Sequence, residues 1–353
     1  MGKARNIGLL ALVQVLAMSL WFVSAAILPG MVAEAGLSAG RGAALSSAVQ
    51  IGFVIGALCL AFSGAADRYD PRVVLGLSAL AATIFNLLLL VTPIGGGAQI
   101  ALRAATGAAL AGVYPVGMKI AVGWSTRSRG LLVGFRVGAV SVGSALPYLL
   151  AYVAPQDWRS TVVMASLFAG AAAFIIGFVR LGPEHKRAPD FRPSFLRLAW
   201  SDLKVRYAYI GYLGHMWELY AFWAWIAAAL TVAFSQELGP GAAPTANAVT
   251  FAAIVLGGLM CAPAGWVADR IGKARVAAAA MAISAAGAIG SAAAFHGPLW
   301  LIVLLVLIWG AAVIPDSAQF SALVADAAPP EAAGSLMAFQ TALGFALTAV
   351  TVQ

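Results

Sequence analysis

The chain has 353 residues, of which 62% are hydrophobic and only 10% charged, and it carries a net charge of +8 with a pI near 9.8. Soluble domains are about 25% charged, and a water-soluble core cannot hide this much apolar surface, so the composition excludes a soluble protein and implies a polytopic membrane protein. The basic balance does not indicate nucleic acid, because the cations gather in short loops between apolar runs.

Eleven apolar spans follow one another, at 7–28, 42–64, 73–92, 97–122, 130–153, 159–181, 206–235, 247–267, 275–295, 298–322 and 333–353. Each approaches or exceeds the ~20 residues that cross a bilayer. No barrel-type alternation is present, so these spans are expected to be helices, which satisfy their own backbone groups in lipid. The start at Met1, with Lys3 and Arg5, leads straight into span 1 without a cleavable signal. Pro29, Pro93, Pro155 and Pro298 fall near span ends and are expected to stop or start helices.

Span 1 carries Gln14 and Trp21, and span 2 carries Gln50. The loop after span 2 contains Asp67, Arg68 and Arg72. Arg103 lies about 10 Å into span 4 at 1.5 Å per residue, on one stripe with Gly107, Leu110 and Tyr114. An arginine at that depth needs a cavity or a partner. It is the leading candidate for binding an anionic group or tuning a proton site, with snorkelling as the alternative. Lys119 in span 4 and Arg136 in span 5 lie nearer the ends where snorkelling competes.

Six spans make an amino-terminal bundle, 1–181, and a polar stretch, 182–205, separates it from a carboxy-terminal bundle, 206–353. The later part of that stretch, with Phe195, Leu198 and Trp200 among Arg197, Asp202 and Lys204, reads as a surface amphipathic helix or a solvated connector. Span 7 places Tyr212, His215, Glu218 and Phe222 on one face, with Trp217, Tyr220, Trp223 and Trp225 around them. His215 and Glu218 stand three apart and are expected to touch as a proton-coupling pair. The aromatics either line a solute cavity or pack at the lipid interface.

The loop after span 8 contains Asp269, Arg270, Lys273 and Arg275. Span 10 offers Asp316 behind Pro315, a proton carrier or inner gate that a proline-broken helix would expose, or a plain helix-end residue. Gln340 in span 11 is a further cavity candidate. Five spans follow the connector where six precede it, so a symmetric architecture asks for a twelfth helix, and carboxy-terminal truncation is the expectation. Cys59 and Cys261 occupy equivalent places in the two halves and are expected buried, apart and unbridged.

Nearly all loop cations lie on the side of the amino terminus, with Arg41 and Arg159 opposite. The positive-inside rule then puts the amino terminus and both charged loops in the cytoplasm, and a bacterial cytoplasmic membrane is the expected setting. The loop pair Asp67-Arg68 and Asp269-Arg270 repeats in register, with Gly56 matching Gly258 and Cys59 matching Cys261. Such a repeat marks two related membrane halves.

These residues carry a resemblance. The run Asp269-Arg270-Ile271-Gly272-Lys273-Ala274-Arg275 is similar to the cytoplasmic motif between helices 8 and 9 of the major facilitator superfamily. The first copy keeps Asp67, Arg68 and Arg72 but has Ser63, Asp70 and Pro71 at two glycines and a basic position of the motif. Arg103 with Gly107 and Gly112 resembles the family's helix 4 motif. Gly134, Gly143 and Pro147 partly match a helix 5 motif common in antiporters, while Leu146 and Tyr148 break it. The stretches 112–119 and 143–147 resemble an uncharacterised bacterial branch grouped with nitrate/nitrite and cyanate porters, without the nitrate signature.

The resemblance covers the whole chain. It implies an all-α membrane protein with a pseudo-symmetric two-bundle fold, secondary transport by alternating access, a monomer and no cofactor. The charged loops would clamp the halves shut on the cytoplasmic side. Three intramembrane cations lean toward a small anion as solute, with Glu218 and Asp316 against a purely cationic cavity. Protons are the expected energy source, as no Gly-x-x-x-x-Gly-Lys-Ser/Thr nucleotide loop occurs. A drug or metabolite efflux antiporter and a non-transporting receptor or scaffold are the alternatives. An enzyme is not expected, and neither is a metal site, since His185, His215 and His296 are scattered without paired ligands.

Overall fold

The computed structural model describes residues 2–63, 68–124, 129–154, 157–183 and 193–352. Asp67, Pro155 and most of the expected connector, 184–192, lie outside them. Among the described residues every regular element is helical.

Among the described residues nine segments are long and apolar enough to cross a membrane. The longest, Leu203–Ile271, folds back at Gly239 (φ 48°) into two helices, and Arg129–Val153 supplies another. In chain order the spans are 1, Lys3–Ala35; 2, Ala39–Ser63; 3, Pro71–Val91; 4, the helices Gly97–Leu110 and Tyr114–Val122; 5, Arg129–Val153; and 6, Trp158–Phe178. They continue with 7, Leu203–Leu238; 8, Ala242–Ile271; 9, Lys273–Ala293; 10, Leu299–Ala327; and 11, Pro330–Thr351.

Three spans begin on an aspartate that accepts from otherwise unpaired first-turn N–H groups. Asp70 takes Arg72 N at 2.9 Å, Asp157 takes Arg159 N at 3.0 Å, and Asp202 takes Lys204 N at 2.9 Å and Val205 N at 3.0 Å.

Three spans are broken inside the apolar layer. Span 1 interrupts between Met18 and Val23, span 4 between Leu110 and Tyr114, and span 10 between Val313 and Ser317. Pro315 accounts for the last break and Pro115 for the restart of span 4, since a proline ring cannot follow a continuous helix. Pro29 does not end span 1 as expected but sits inside the helix Val23–Ala35. Membrane helices tolerate such a proline when neighbours re-satisfy the freed backbone.

The spans form two bundles that meet along two main seams, span 5 against span 8 and span 2 against span 11. At the first seam the chains approach so closely that a Cβ on Gly138 would stand 2.6 Å from the Gly258 carbonyl oxygen. Inside the first bundle, spans 2 and 4 are closer still. A Cβ at Gly52 would lie 1.8 Å from Ala104 O, and one at Gly107 would lie 2.0 Å from Val49 O. Small residues are what let helix backbones touch in lipid, where no hydrophobic drive holds helices together.

The segment before span 7 is helical, Pro193–Arg197 and Leu198–Ser201. Ala199 is buried there against Val205, Tyr209, Val324 and Leu336 of the second bundle. This stretch is therefore docked on spans 7, 10 and 11, while Trp200 remains exposed. Cys261 is buried as expected, but Cys59 is exposed on the outer face of span 2, because that face turns away from the seam lined by Gly52 and Gly56. Both cysteines are free.

Replacing Gly107 or Gly52 by valine is expected to lower stability by about 1–3 kcal/mol, the usual range for overpacking. Gly8, which has open space around it, should accept alanine without loss. Thermal melting of the purified variants in detergent checks this, and a Gly107→Val protein that melts with the parent contradicts the seam.

Candidate functional site

Arg103 is completely buried, and its guanidinium reaches out of span 4 to the break in span 1. Nη2 donates to Leu20 O at 2.9 Å and to Trp21 O at 3.0 Å, and Nη1 donates to Asn86 Oδ1 of span 3 at 2.9 Å. The bracing is reciprocal. Gln14 of span 1 donates through Nε2 to Val113 O, at the break in span 4, at 3.1 Å. Each broken helix therefore has carbonyls at its interruption satisfied by a side chain of the other.

A small cavity of about 10 Å³, room for roughly one water molecule, lies beside Arg103 inside the first bundle, between Ser24, Leu45, Gln99 and Trp158. The terminal nitrogens of Arg103, expected to meet an anionic group or a proton site, are bonded to neutral acceptors within one bundle. Only Nε lacks a partner among the described residues. Of the other intramembrane cations, Lys119 is half-buried near the end of span 4 that shares the side of the amino terminus, and the Arg136 side chain lies outside the described residues.

The break in span 1 delivers Trp21 and Phe22 to the boundary between the bundles. Trp21 meets Tyr220 at 6.3 Å and Phe345 at 5.5 Å between ring centroids, and Phe22 meets Trp223 at 5.4 Å. Phe53 of span 2 packs on Phe345 of span 11 at 4.3 Å. The Tyr148 hydroxyl of span 5 donates to the Trp223 carbonyl of span 7, a hydrogen bond from one bundle to the other. Tyr114, at the restart of span 4, is half-buried and packs against the same hydrophobic core.

The boundary is therefore an aromatic cluster contributed by spans 1, 2, 5, 7 and 11. It holds buried polar atoms without partners among the described residues, namely Trp21 Nε1 and Trp223 Nε1, and the Gln340 amide of span 11 is likewise buried and unpartnered. The sequence drew attention to Trp21, Tyr114 and Gln340. It missed Phe53 and Phe345, which nothing in a one-dimensional apolar run distinguishes from lipid-facing phenylalanine.

His215 does not pair with Glu218. Its Nδ1 stands 2.8 Å from Asp316 Oδ1, with both side chains buried, and Nε2 has no partner among the described residues. Three helical residues separate side chains by about 60° around the axis, and here that angle sends the two groups to different neighbours. His215 turns to the break in span 10, between the rings of Tyr212 and Phe320. Glu218 turns to Ser284 Oγ of span 9 at 2.5 Å and Trp309 Nε1 of span 10 at 2.8 Å. Asp316, expected to seek a cation of the first half, finds its partner within the second.

The charged loops do not clamp the bundles together through any pair seen among the described residues. Arg72 holds Asp70 in its own loop at 2.5 Å and reaches Val179 O of span 6 at 3.3 Å. Lys273 holds Asp326 at 2.5 Å, which ties span 9 to span 10. Arg270 lies 3.4 Å over the Trp266 ring and donates to its carbonyl, and Arg275 donates to Ile271 O. Arg68 and Asp269 are exposed. Each described contact made by these cations lies within its own bundle. On the opposite side Glu34 bonds Arg159 at 2.6 and 2.7 Å and Trp158 Nε1 at 2.7 Å, joining spans 1 and 6. Among the described residues no group of three His, Cys, Asp or Glu is placed to hold a metal.

The sequence model described as Major Facilitator Superfamily matches residues 10–351. No curated protein matches the sequence. Among solved structures, the inward-open xylose transporter XylE from E. coli aligns with a TM-score of 0.71 at 16% identity, over 99% of this chain and 89% of that one. The nucleoside transporter NupG aligns with 0.75 at 13%, over 99% and 90%. A bacterial homologue of the human lysosomal transporter Spinster, inward-facing and unoccupied, aligns with 0.72 at 13%, over 98% and 80%. At these identities the likeness is one of fold.

Arg103→Met is expected to cost about 3 kcal/mol or more, since it strands the Leu20 and Trp21 carbonyls and an amide in a dry interior. Arg103→Lys, without the planar fork, should recover only part of that. Thermal melting reads both. A lysine variant that melts like the parent and fails only in solute binding would return Arg103 to the role of a ligand.

Proposed function

Since the chain belongs to the Major Facilitator Superfamily, it is a multi-pass membrane protein with a secondary-transport fold rather than an enzyme, and on that premise we propose that it carries a small solute coupled to protons. The solute binds between the two bundles, and the bundles rock about the span 5–span 8 and span 2–span 11 seams to expose it to each side in turn. The amino terminus and the charged loops face the cytoplasm of a bacterial cell, as the distribution of Lys and Arg asks.

The observation that carries proton coupling is the buried His215–Asp316 pair at the break of span 10. An imidazole and a carboxylate buried together are costly unless their charges offset one another. A proton added to the Asp316 carboxylate removes that offset, so the paired and protonated forms favour different local packings. Asp316 begins the helix Ser317–Ala327, and a change at its carboxylate acts directly on the joint of span 10. Because each state of that joint has its own proton affinity, the movement and the proton are linked. The solved relatives named for proton-driven xylose transport share this fold. Glu218 is a second carboxylate in the same bundle, held by Ser284 and Trp309.

The aromatic boundary also favours a second reading, an efflux antiporter for an apolar metabolite. The sign of the gradient effect separates the two: an inward proton gradient fills vesicles with solute under symport and empties them under antiport.

Asp316→Asn is expected to abolish proton-driven accumulation in proteoliposomes while preserving counterflow exchange of the solute, and His215→Gln should do the same. Glu218→Gln should retain most driven transport if it only anchors Trp309 and Ser284. Driven accumulation that survives Asp316→Asn would sink the proposed coupling.

A further inference from the structure

The inter-bundle cluster has a chemical character that the notion of a small solute leaves open. Its rings, Trp21, Phe22, Phe53, Tyr220, Trp223 and Phe345, come from both bundles and carry no formal charge. Arg103, the fully buried cation among the described residues, is bonded to Leu20, Trp21 and Asn86 inside the first bundle. The carboxylates that would attract a cation are also elsewhere, with Asp316 on His215 and Glu218 on Ser284 and Trp309, both inside the second bundle.

What the cluster does contain is unspent hydrogen bonding. Buried indole N–H groups normally find an acceptor. Trp21 and Trp223 are 2% and 3% exposed, one from each bundle, and neither Nε1 has an acceptor among the described residues. Span 11, which contributes Phe345, also carries Gln340, 1% exposed, with its amide nitrogen and oxygen both unpartnered. An apolar core would strand such groups at a cost. A solute-binding surface keeps them for a ligand.

From this we infer that the site takes an uncharged planar ring compound whose edge carries carbonyl-type acceptors. The ring faces stack on the aromatic side chains, and the edge oxygens accept from Trp21 Nε1 and Trp223 Nε1. An anion loses its hydration there without meeting Arg103, and a saturated polyol meets donors but no matching flat face. This inference rests on the reading that the solute binds between the bundles.

The test measures binding of tritiated uracil to the purified full chain in detergent by scintillation proximity. Orotate, the same ring with an added carboxylate, and D-xylose, an uncharged but saturated ring, are run as competitors. Uracil is expected to bind and resist both competitors. Trp21→Phe and Trp223→Phe each keep a ring and delete one N–H, and each should weaken uracil by about fivefold to tenfold, the weight of one hydrogen bond.

Melting curves confirm that each variant is folded, and Trp223→Phe serves alone if Trp21→Phe is not. Preference for orotate or D-xylose, with affinity still falling in Phe345→Ala, overturns the ligand class and leaves the inter-bundle site standing. Binding of any probe that is indifferent to Phe345→Ala and Trp223→Phe overturns the site itself. No binding by any of the three overturns the ligand class.

Discussion

A helix that breaks inside a bilayer exposes carbonyls to a medium that offers them nothing. In this protein the break in span 1 exists because Arg103 supplies what water cannot, two charge-assisted hydrogen bonds to consecutive carbonyls, with Asn86 holding the other arm of the fork. The break in span 4 is met in the opposite sense by Gln14. Each interruption is thus braced by a side chain of the other helix. Trp21 and Tyr114 reach the bundle boundary from these interruptions. The small-residue seam between spans 2 and 4 holds span 4 at the depth the bracing needs.

The second bundle solves a similar problem by different means. Its broken span 10 is interrupted by proline, and the joint is occupied by an ionisable pair rather than a permanently charged fork. Arginine keeps its charge at any physiological pH, whereas an imidazole exists in both neutral and charged forms. The bracing of the first bundle is therefore fixed, and that of the second is adjustable. The two halves therefore differ despite their shared plan, with aromatic rings gathered at their boundary and the His215–Asp316 pair set within the second.

Much of this was legible in the sequence. Length and hydropathy marked eleven spans to within a few residues, because bilayer thickness is a strict ruler. Intramembrane polar residues pointed to spans 1, 4, 7 and 10. What the sequence concealed was partnership. Arg103 reads as a solute ligand until Leu20 and Trp21 are seen to turn their carbonyls toward it, and backbone acceptors leave no mark in a residue string. His215 and Glu218 look like partners by spacing, yet the choice between them was settled by Pro315 carrying Asp316 into range. The charged loops match a motif in type, but their contacts depend on side-chain reach, and the nearest acceptor lay within each bundle. Phe53 and Phe345 were unreadable because a seam-facing ring and a lipid-facing ring are spelled alike.

Gly138 and Gly258 deserve a mechanical view. Where most packed helices mesh like gears, these two present bare backbone to bare backbone at the seam between bundles. A smooth surface of this kind leaves no side-chain rotamers caught between the two backbones, whereas spans 1 and 7 meet ring on ring and Tyr148 fastens span 5 to span 7 like a clasp.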